Sequence, residues 1–212
     1  IDAVDEYQTC ETGVLNADGT ESLQGMHVLT EANDTLTFTG FTSAPVPSLL
    51  RGFSAPVVLD YLYTDAELLT LLAHDTDPFN RWEAAQRLAT RRALAFIGSD
   101  QPVAELRLDT AYIDAMRAVL RHPQLDAAFK ELTLTLPAET YIAEQLDVAD
   151  PQRIHAVREA MREQLAQALF ADWEWAFDAH RDNGAYRPEP LSSGRRALAG
   201  LALTHLCLAA RA

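Results

Sequence analysis

The sequence predicts a two-part chain that is mostly α-helical: a partial β-sandwich followed by an antiparallel α-helical array, or α-superhelix. Residues 1–63 carry turn residues and short alternations of apolar and polar side chains, which are typical of strands. Residues 64–212 carry helix start signals and apolar side chains at helical spacing. We therefore predict two domains, a partial β-sandwich over 1–63 and a helical array over 64–212 that is truncated at its C-terminal end.

Strand signals come first along the chain. Residues 16–19 (Asn-Ala-Asp-Gly) have the chemistry of a hairpin turn, because Asp and Gly tolerate positive φ. Residues 33–34 (Asn-Asp) predict a turn before a strand over 36–41, whose apolar residues alternate with threonines, and a last strand is predicted over 57–61. Prolines cannot donate to a ladder, so edge or linking segments are predicted at Pro45, Pro47 and Pro56. These strands are too few for a full sandwich, and we expect it to be truncated at its start.

Helix signals follow. Thr64-Asp65-Ala66-Glu67 is a capping box, and Asp77-Pro78 and Asp150-Pro151 each place an N-cap residue before a proline at the first helical position. Apolar residues recur every three or four positions from Ile154 to Phe177, which predicts one continuous amphipathic helix. The first predicted helix begins at Thr64. The next five are predicted over 77–98, 109–121, 124–134, 138–146 and 150–183, and the last starts at Ser192 or Ser193.

The last predicted helix, ALAGLALTHLCLAA, is apolar on nearly every side. Such a helix is normally buried, and the ends of helical arrays usually carry a polar capping face. We therefore expect the native protein to continue past Ala212.

Composition limits the possible partners. The net charge is −14, from 31 acidic and 17 basic residues, which argues against nucleic acid and anionic membrane surfaces. The sequence contains no run of 18 apolar residues, and its first residues have neither the basic start nor the apolar run of a signal peptide. Two cysteines, Cys10 and Cys207, fit a reducing compartment. We therefore predict a cytoplasmic protein with no nucleic-acid partner and no membrane partner.

The histidines do not form a zinc motif. They are His27, His74, His122, His155, His180 and His205, none followed by Glu and none in an H-x-x-x-H pair. His155 and Glu159 share a helix face, and we favour an ordinary polar contact between them over two metal ligands. His180 is interpreted as a partly charged imidazole that stabilises a helix C-terminus.

Nucleophile and anion-site signals are also weak. Cys207 is interpreted as a small hydrophobe on an apolar helix. No serine lies in a G-x-S-x-G elbow; those weighed are Ser22, Ser43, Ser48 and Ser54. Trp173 follows the apolar stripe and Trp175 does not, so Trp175 is a candidate contact with another domain. The pairs at 91–92 and 195–196 (Arg-Arg) are interpreted as solvated. We therefore predict no catalytic, cofactor-binding or metal-binding residue in this chain.

Several strings resemble bacterial aminopeptidase N, a family of zinc aminopeptidases. PVPSLLRGFSAPVVLDY (45–61) is similar to the family segment in which a small β-sandwich domain precedes the C-terminal helical domain. DTDPFNRWEAAQRLA resembles the start of that helical domain, and GVLNADGTE resembles a hairpin of the sandwich. ADPQRIHAVREAM and GRRALAGLALTHLCL resemble later helices, so that the resemblance covers residues 13–212.

The resemblance implies a parent enzyme that releases N-terminal residues from peptides. In that family an HExxH helix and a downstream Glu hold zinc, and a GxMEN loop grips the substrate amine; this sequence contains neither HExxH nor GxMEN. Its implied role is therefore that of a non-catalytic spacer and part of a helical lid over the active-site chamber. The implied partners are the catalytic domain of the same polypeptide and short peptide substrates, with zinc in the parent enzyme and no cofactor in this chain. The alternative hypothesis is an independent helical-array module for protein interactions.

Overall fold

The computed structural model describes residues 8–16, 21–29, 35–41, 43–55, 57, 59–182 and 184–211. The chain divides into two compact units, Ile1–Ala84 and Ala85–Ala212. Most of the predicted hairpin tip (17–19), the predicted turn at 33–34, Pro56 and the predicted helix end at Asn183 lie outside the described residues.

The first unit contains a small antiparallel sheet. Its strands within the described residues are β1 (Gln8–Leu15), β2 (Glu21–Leu29) and β3 (Val46–Ser48), in the order β2-β1-β3. Residues 12–15 of β1 are buried, and Val14 lies opposite Pro47 of β3. Pro47 thus lies in a strand at the edge of the described sheet, as predicted for a residue that cannot donate to a ladder. A sheet followed by helices confirms the predicted fold class.

Two predicted strands are wrong. Residues 35–41 form no strand, and Leu36 is 44% exposed. The described residues between 57 and 61 form no strand either. Alternation and β-branching favour extended backbone, but a strand also needs a partner to pair with, and neither segment pairs with the described sheet.

The helix starts of the first unit follow the predicted capping signals. Helix α1 (Asp65–His74) begins with the predicted box, in which Glu67 N donates to Thr64 Oγ1 over 3.2 Å and Thr64 N donates to the Glu67 carboxylate over 2.6 Å. Helix α2 (Pro78–Ile97) begins after Asp77, whose carboxylate accepts from Asn80 N. Before them, a 3-10 turn spans Arg51–Phe53. Local hydrogen bonds at these starts explain why short sequence signals located them well.

The second unit is helical. It contains the rest of α2, a 3-10 turn at Val103–Glu105, and six further helices within the described residues. These are α3 (Thr110–Arg121), α4 (Ala127–Leu134), α5 (Glu139–Ala143), α6 (Pro151–Ala168), α7 (Phe170–His180) and α8 (Pro190–Ala209). Helix α8 packs against α4, α6 and α7. The largest fully buried side chains of this unit are Leu88, Leu106, Tyr112, Met116, Leu120, Ile142, Ile154, Met161 and Trp173.

The long helix predicted from Asp150 is in fact two helices. The chain leaves helical geometry at Leu169, which has φ −111° and ψ 21°, between α6 and α7. The Trp173 indole then donates to the Leu165 carbonyl over 3.2 Å. Because Leu169 and Trp173 are both buried, the apolar stripe continues across the break and the sequence pattern does not reveal it. Helix α8 starts at Pro190 rather than at the predicted serines.

No helix in the described part of the chain is long and apolar enough to cross a membrane.

Candidate functional site

A cluster of buried polar side chains lies in the first unit. It joins the end of β3, the 51–53 turn and the connection between α1 and α2. Its members are Ser48, Arg51, Asp75, Asp77 and Asn80, each at most 9% exposed. Buried polar groups are costly unless they are hydrogen-bonded, so such a cluster must be closely paired.

The Arg51–Asp75 ion pair is the centre of this cluster. Arg51 Nη1 lies 3.0 Å from Asp75 Oδ1, and the two side chains are 5% and 0% exposed. The same guanidinium donates to Ser48 Oγ at 3.2 Å and, through Nη2, to Thr76 Oγ1 at 2.5 Å. Ser48 Oγ in turn donates to Asp75 Oδ2 at 2.7 Å. Both charges are therefore met by hydrogen bonds as well as by each other.

A second carboxylate ties the turn to helix α2. Asp77 accepts from Gly52 N at 2.9 Å and from Asn80 N at 2.8 Å, so one side chain serves both the turn and the helix N-cap. Asp77 N donates to Asp75 Oδ1 at 2.9 Å. The Asn80 side-chain amide donates to Ser48 Oγ and to the Leu49 carbonyl.

The electrostatics of the cluster follow from its burial. Burial raises the pKa of Asp75, and hydrogen bonds from Ser48 and the Asp77 amide, together with the Arg51 charge, oppose that rise. Burial lowers the pKa of the neighbouring Arg81, which donates to the Ala73 carbonyl at 3.3 Å. Donors contact both Asp75 oxygens, so this side chain is held within the fold.

Three residues in and beside the turn that Arg51 anchors have left-handed backbone angles. Leu50 has φ 55°, Gly52 has φ 61° and Phe53 has φ 55°. Non-glycine residues rarely adopt such values, because Cβ approaches the following carbonyl. Phe53 is 68% exposed, and its ring centroid lies 3.9 Å from that of Phe79. On the sheet side, Gly13 makes room for Arg51: a Cβ there would lie 2.9 Å from Arg51 Nη1.

The predicted contact between His155 and Glu159 is wrong. His155 Nδ1 lies 2.8 Å from Glu139 Oε1, and its side chain is 64% exposed. Glu159 instead pairs with Arg162 at 2.6 Å, one turn further along α6. The two candidates therefore contact different partners, Glu139 on α5 and Arg162 on α6, which their spacing in the sequence does not reveal.

His180 lies where it was predicted, in the last turn of α7. Its Nδ1 donates to the Ala176 carbonyl at 2.8 Å. Burial lowers its pKa, and the charges of Lys130 and Arg195 act in the same direction. The predicted partly charged imidazole is therefore corrected: the environment favours the neutral ring.

Other interpretations also change. Cys207, interpreted as a small hydrophobe, is exposed and lines an open cavity of about 410 Å³ with Arg162 and Arg211. Arg92 is not solvated either, since its side chain is 11% exposed and its Nε lies 2.6 Å from Asp109 Oδ2.

The two tryptophans of α7 differ as predicted. Trp173 is 1% exposed and stacks on His205 with ring centroids 4.2 Å apart. Trp175 is 37% exposed, and the Arg121 guanidinium lies 4.2 Å from its ring centroid. In this structure, helices of the same unit supply its neighbours, which also include Lys130.

No metal centre forms in the part of the chain that the structure describes. It contains no group of three or more His, Cys, Asp or Glu side chains able to hold a metal ion. The described residues therefore do not fit a zinc site.

Sequence reasoning missed the Arg51–Asp75 cluster. The sequence motifs concern Ser48 only as a nucleophile, and none of them points to Arg51, Asp75 or Asn80. The long-range contacts of the cluster join residues 24 to 32 positions apart, with no periodicity to reveal them. One available signal was Arg51 itself, a lone charge within the apolar string LLRGF.

Comparison with known proteins gives two family matches. A model described as "Domain of unknown function (DUF3458_C) ARM repeats" matches residues 65–212. A model described as "Domain of unknown function (DUF3458) Ig-like fold" matches residues 10–62.

Curated relatives are named aminopeptidase N. The chain is 35% identical to that of Escherichia coli strain K12, over 84% of this chain and 20% of the relative. It is 36% identical to that of Caulobacter vibrioides, over 88% of this chain and 21% of the relative. The chain thus spans about a fifth of the length of these relatives. These matches confirm the resemblance to aminopeptidase N.

A solved structure shares the fold. The crystal structure of Legionella pneumophila aminopeptidase A in complex with aspartic acid is similar with a TM-score of 0.83 and 24% identity. The similarity covers 100% of this chain and 25% of that one.

Proposed function

This chain belongs to the DUF3458_C family, and on that premise we propose that it is a non-catalytic part of a zinc-dependent exopeptidase of the aminopeptidase N type. The parent polypeptide removes N-terminal residues from peptides. This part serves as a spacer and as part of a helical lid over the active-site chamber. The observation that carries the proposal is similarity to aminopeptidase N over most of a chain whose sequence lacks HExxH and GxMEN.

The arrangement of the carboxylates supports a structural role. Asp75 and Asp77, two buried acidic residues of the first unit, accept hydrogen bonds from Ser48, Arg51 and backbone amides. A general base needs an oxygen within reach of a substrate proton, and these oxygens are committed to the fold. The pair therefore suits a scaffold rather than a hydrolytic centre.

The proposal assigns zinc and the substrate amine to another part of the parent polypeptide. The partner of this chain is the catalytic domain of that polypeptide, and the substrates of the whole are short peptides. We place the protein in the cytoplasm, and its charge of −14 argues against nucleic acid as a partner. Since the described residues offer no zinc site, no step of peptide hydrolysis is assigned to them.

Hydrolysis assays test the proposal. The chain alone, with added zinc, should not release arylamine from aminoacyl-arylamides, whereas E. coli aminopeptidase N in the same buffer should. Chelator-sensitive turnover by the chain alone would contradict the non-catalytic role.

A chimera tests the spacer and lid role. Replacing the aligned segment of E. coli aminopeptidase N with this chain should preserve arylamide hydrolysis within about tenfold. A chimera that folds, as judged by circular dichroism, and is inactive would contradict that role.

One observation favours a second candidate, an independent module for protein interactions. The matched family model is described as ARM repeats, and stacked helix pairs of that kind form extended binding surfaces. The coding sequence around this segment distinguishes the candidates. An HExxH motif upstream in the same reading frame supports the peptidase, and natural termini at both ends support the module.

A further inference from the structure

We propose that residues 50–53 form a strained turn held closed by the buried Arg51–Asp75 ion pair, so that loss of the pair opens the turn while the helices stay folded. The turn is then a local two-state element within the first unit. This inference concerns the fold of the chain itself and does not depend on the peptidase assignment.

Backbone geometry shows that the turn is strained. Leu50 and Phe53 both have φ 55°, in the left-handed region that L-residues disfavour. Gly52, between them, has φ 61°, which glycine adopts without steric penalty. Two non-glycine residues in this region within four positions persist only where surrounding contacts hold them.

The contacts that hold the turn come from the polar cluster. The Arg51 side chain, held by Ser48, Asp75 and Thr76, anchors the turn. Asp77 also accepts from the Gly52 amide. Removing one partner of a buried pair leaves the other charge unpaired, which strongly favours any conformation that returns it to water. For Arg51, that conformation is an open turn.

The exposed side of the turn offers little resistance to opening. Phe53 is already 68% exposed, and its packing partner Phe79 is only half-buried. Opening therefore exposes little additional apolar surface, which is the property of regions that open locally at low free energy. The Arg51–Asp75 pair and its hydrogen bonds, rather than apolar packing, then decide whether the turn is closed.

Amide hydrogen exchange read by mass spectrometry tests the proposal. Two amides report on the closed turn: Gly52 N, which donates to Asp77, and Ser54 N, which donates to the Arg51 carbonyl at 3.1 Å. In Asp75→Asn or Arg51→Met, exchange of peptides covering 49–55 should accelerate at least tenfold, with α6 and α8 unchanged. Unchanged exchange at 49–55 overturns the proposal.

A matched pair of substitutions isolates the strain. Leu50→Gly and Leu50→Ala both remove the leucine side chain, but only glycine relieves the left-handed penalty. In the Asp75→Asn background, exchange of peptides covering 49–55 should be at least threefold slower with Leu50→Gly than with Leu50→Ala. Equal exchange in the two double variants overturns the proposal. If Asp75→Asn unfolds the first unit, the same pair in the otherwise native sequence decides it: slower exchange with glycine supports strain, and equal exchange refutes it.

Discussion

The two compact units differ in the buried interactions that hold their elements together. In the first unit, a buried cluster around Arg51 and Asp75 connects a three-residue strand, a left-handed turn and the start of α2. In the second unit, apolar stripes from several helices meet around side chains such as Trp173 and Met161, both 1% exposed. The first unit combines a buried polar cluster with an apolar core that includes Leu15, Leu68 and Leu72, whereas apolar packing joins the helices of the second unit.

This difference teaches where single substitutions act. Hydrogen bonds are directional and an unpaired buried partner is costly, so a change in the polar cluster alters one local geometry. Apolar packing is non-directional and scales with the volume and area removed, so a change in the helical core lowers the stability of the whole unit. Paired substitutions in each unit test this contrast.

The largest effect is expected in the helical core. Trp173→Ala should lower the free energy of unfolding by about 3–5 kcal/mol, because it removes a fully buried indole and leaves a cavity beside His205. Urea denaturation followed by circular dichroism measures the loss.

Trp175→Ala is the matched control on the same helix. Its ring is 37% exposed and lies under Arg121, so its loss should cost about 1 kcal/mol. Equal losses for the two tryptophans would contradict the view that apolar volume specifies this unit.

The next effect concerns the contact between α4 and α8. A Cβ at Gly194 would lie 2.9 Å from both the Cβ and the backbone N of Ala128. Because backbone cannot move aside as a flexible side chain can, Gly194→Ala should destabilise the unit by about 1–3 kcal/mol, measured by urea denaturation.

Gly200→Ala, on the same helix, should change the stability of the unit in the opposite direction. Nothing lies within 4 Å of the added Cβ, so the intrinsic helix preference of alanine should stabilise the unit by up to about 1 kcal/mol. If both substitutions stabilise the unit, close packing of α4 against α8 does not limit the size of the side chain at position 194.

Local features of this structure could be predicted from the sequence, and features that depend on distant residues could not. Helix starts depend on residues three positions apart, so the capping box at Thr64 and the N-cap aspartates at 77 and 150 were located correctly. The break at Leu169 was missed because apolar spacing continues across it. The strands at 36–41 and 57–61 were wrong because pairing depends on distant partners, which alternation does not specify.

The candidate site could not be predicted in the same way. Arg51 and Asp75 are 24 positions apart, and Asn80 and Ser48 are 32 apart. Neither period 2 nor period 3.6 relates such residues. The meeting of these side chains depends on where the turn and the α1–α2 connection are placed, which is a property of the folded unit.

A smaller effect is expected on the sheet side of the cluster. A Cβ at Gly13 would lie 2.9 Å from Arg51 Nη1 and 3.2 Å from its Cδ. The guanidinium can move, but only by lengthening its contacts with Asp75 and Ser48. Gly13→Ala should therefore destabilise the first unit by about 1–2 kcal/mol, in the lower part of the range for overpacking, as measured by thermal unfolding.

Gly25→Ala is the control in the neighbouring strand β2. Gly25 lies opposite Thr12 in the register, and nothing lies within 4 Å of an added Cβ. This substitution should leave stability unchanged or raise it by about 0.5 kcal/mol. If Gly13→Ala behaves in the same way, the space beside Arg51 does not constrain the cluster.

The smallest effect is a pH dependence in the helical unit. Burial lowers the pKa of His205, whose Nδ1 donates to the Leu201 carbonyl at 3.0 Å, and the charge of Arg162 acts in the same direction. In the unfolded chain this histidine titrates near pH 6.5. Below that pH the unfolded state binds the proton more readily, so stability falls as pH decreases from about 6.5 towards the folded-state pKa.

The expected loss is at most about 1.4 kcal/mol per pH unit for this group. His205→Asn keeps a donor for the Leu201 carbonyl and removes the titration, so it should reduce the difference between urea denaturation curves at pH 7.5 and pH 5.5. His180, whose pKa burial also lowers, accounts for a further part, and His205→Asn/His180→Asn should reduce the difference more. If the double variant keeps the full native pH dependence, the two buried histidines do not cause the loss of stability at low pH. Buried carboxylates should then be substituted next.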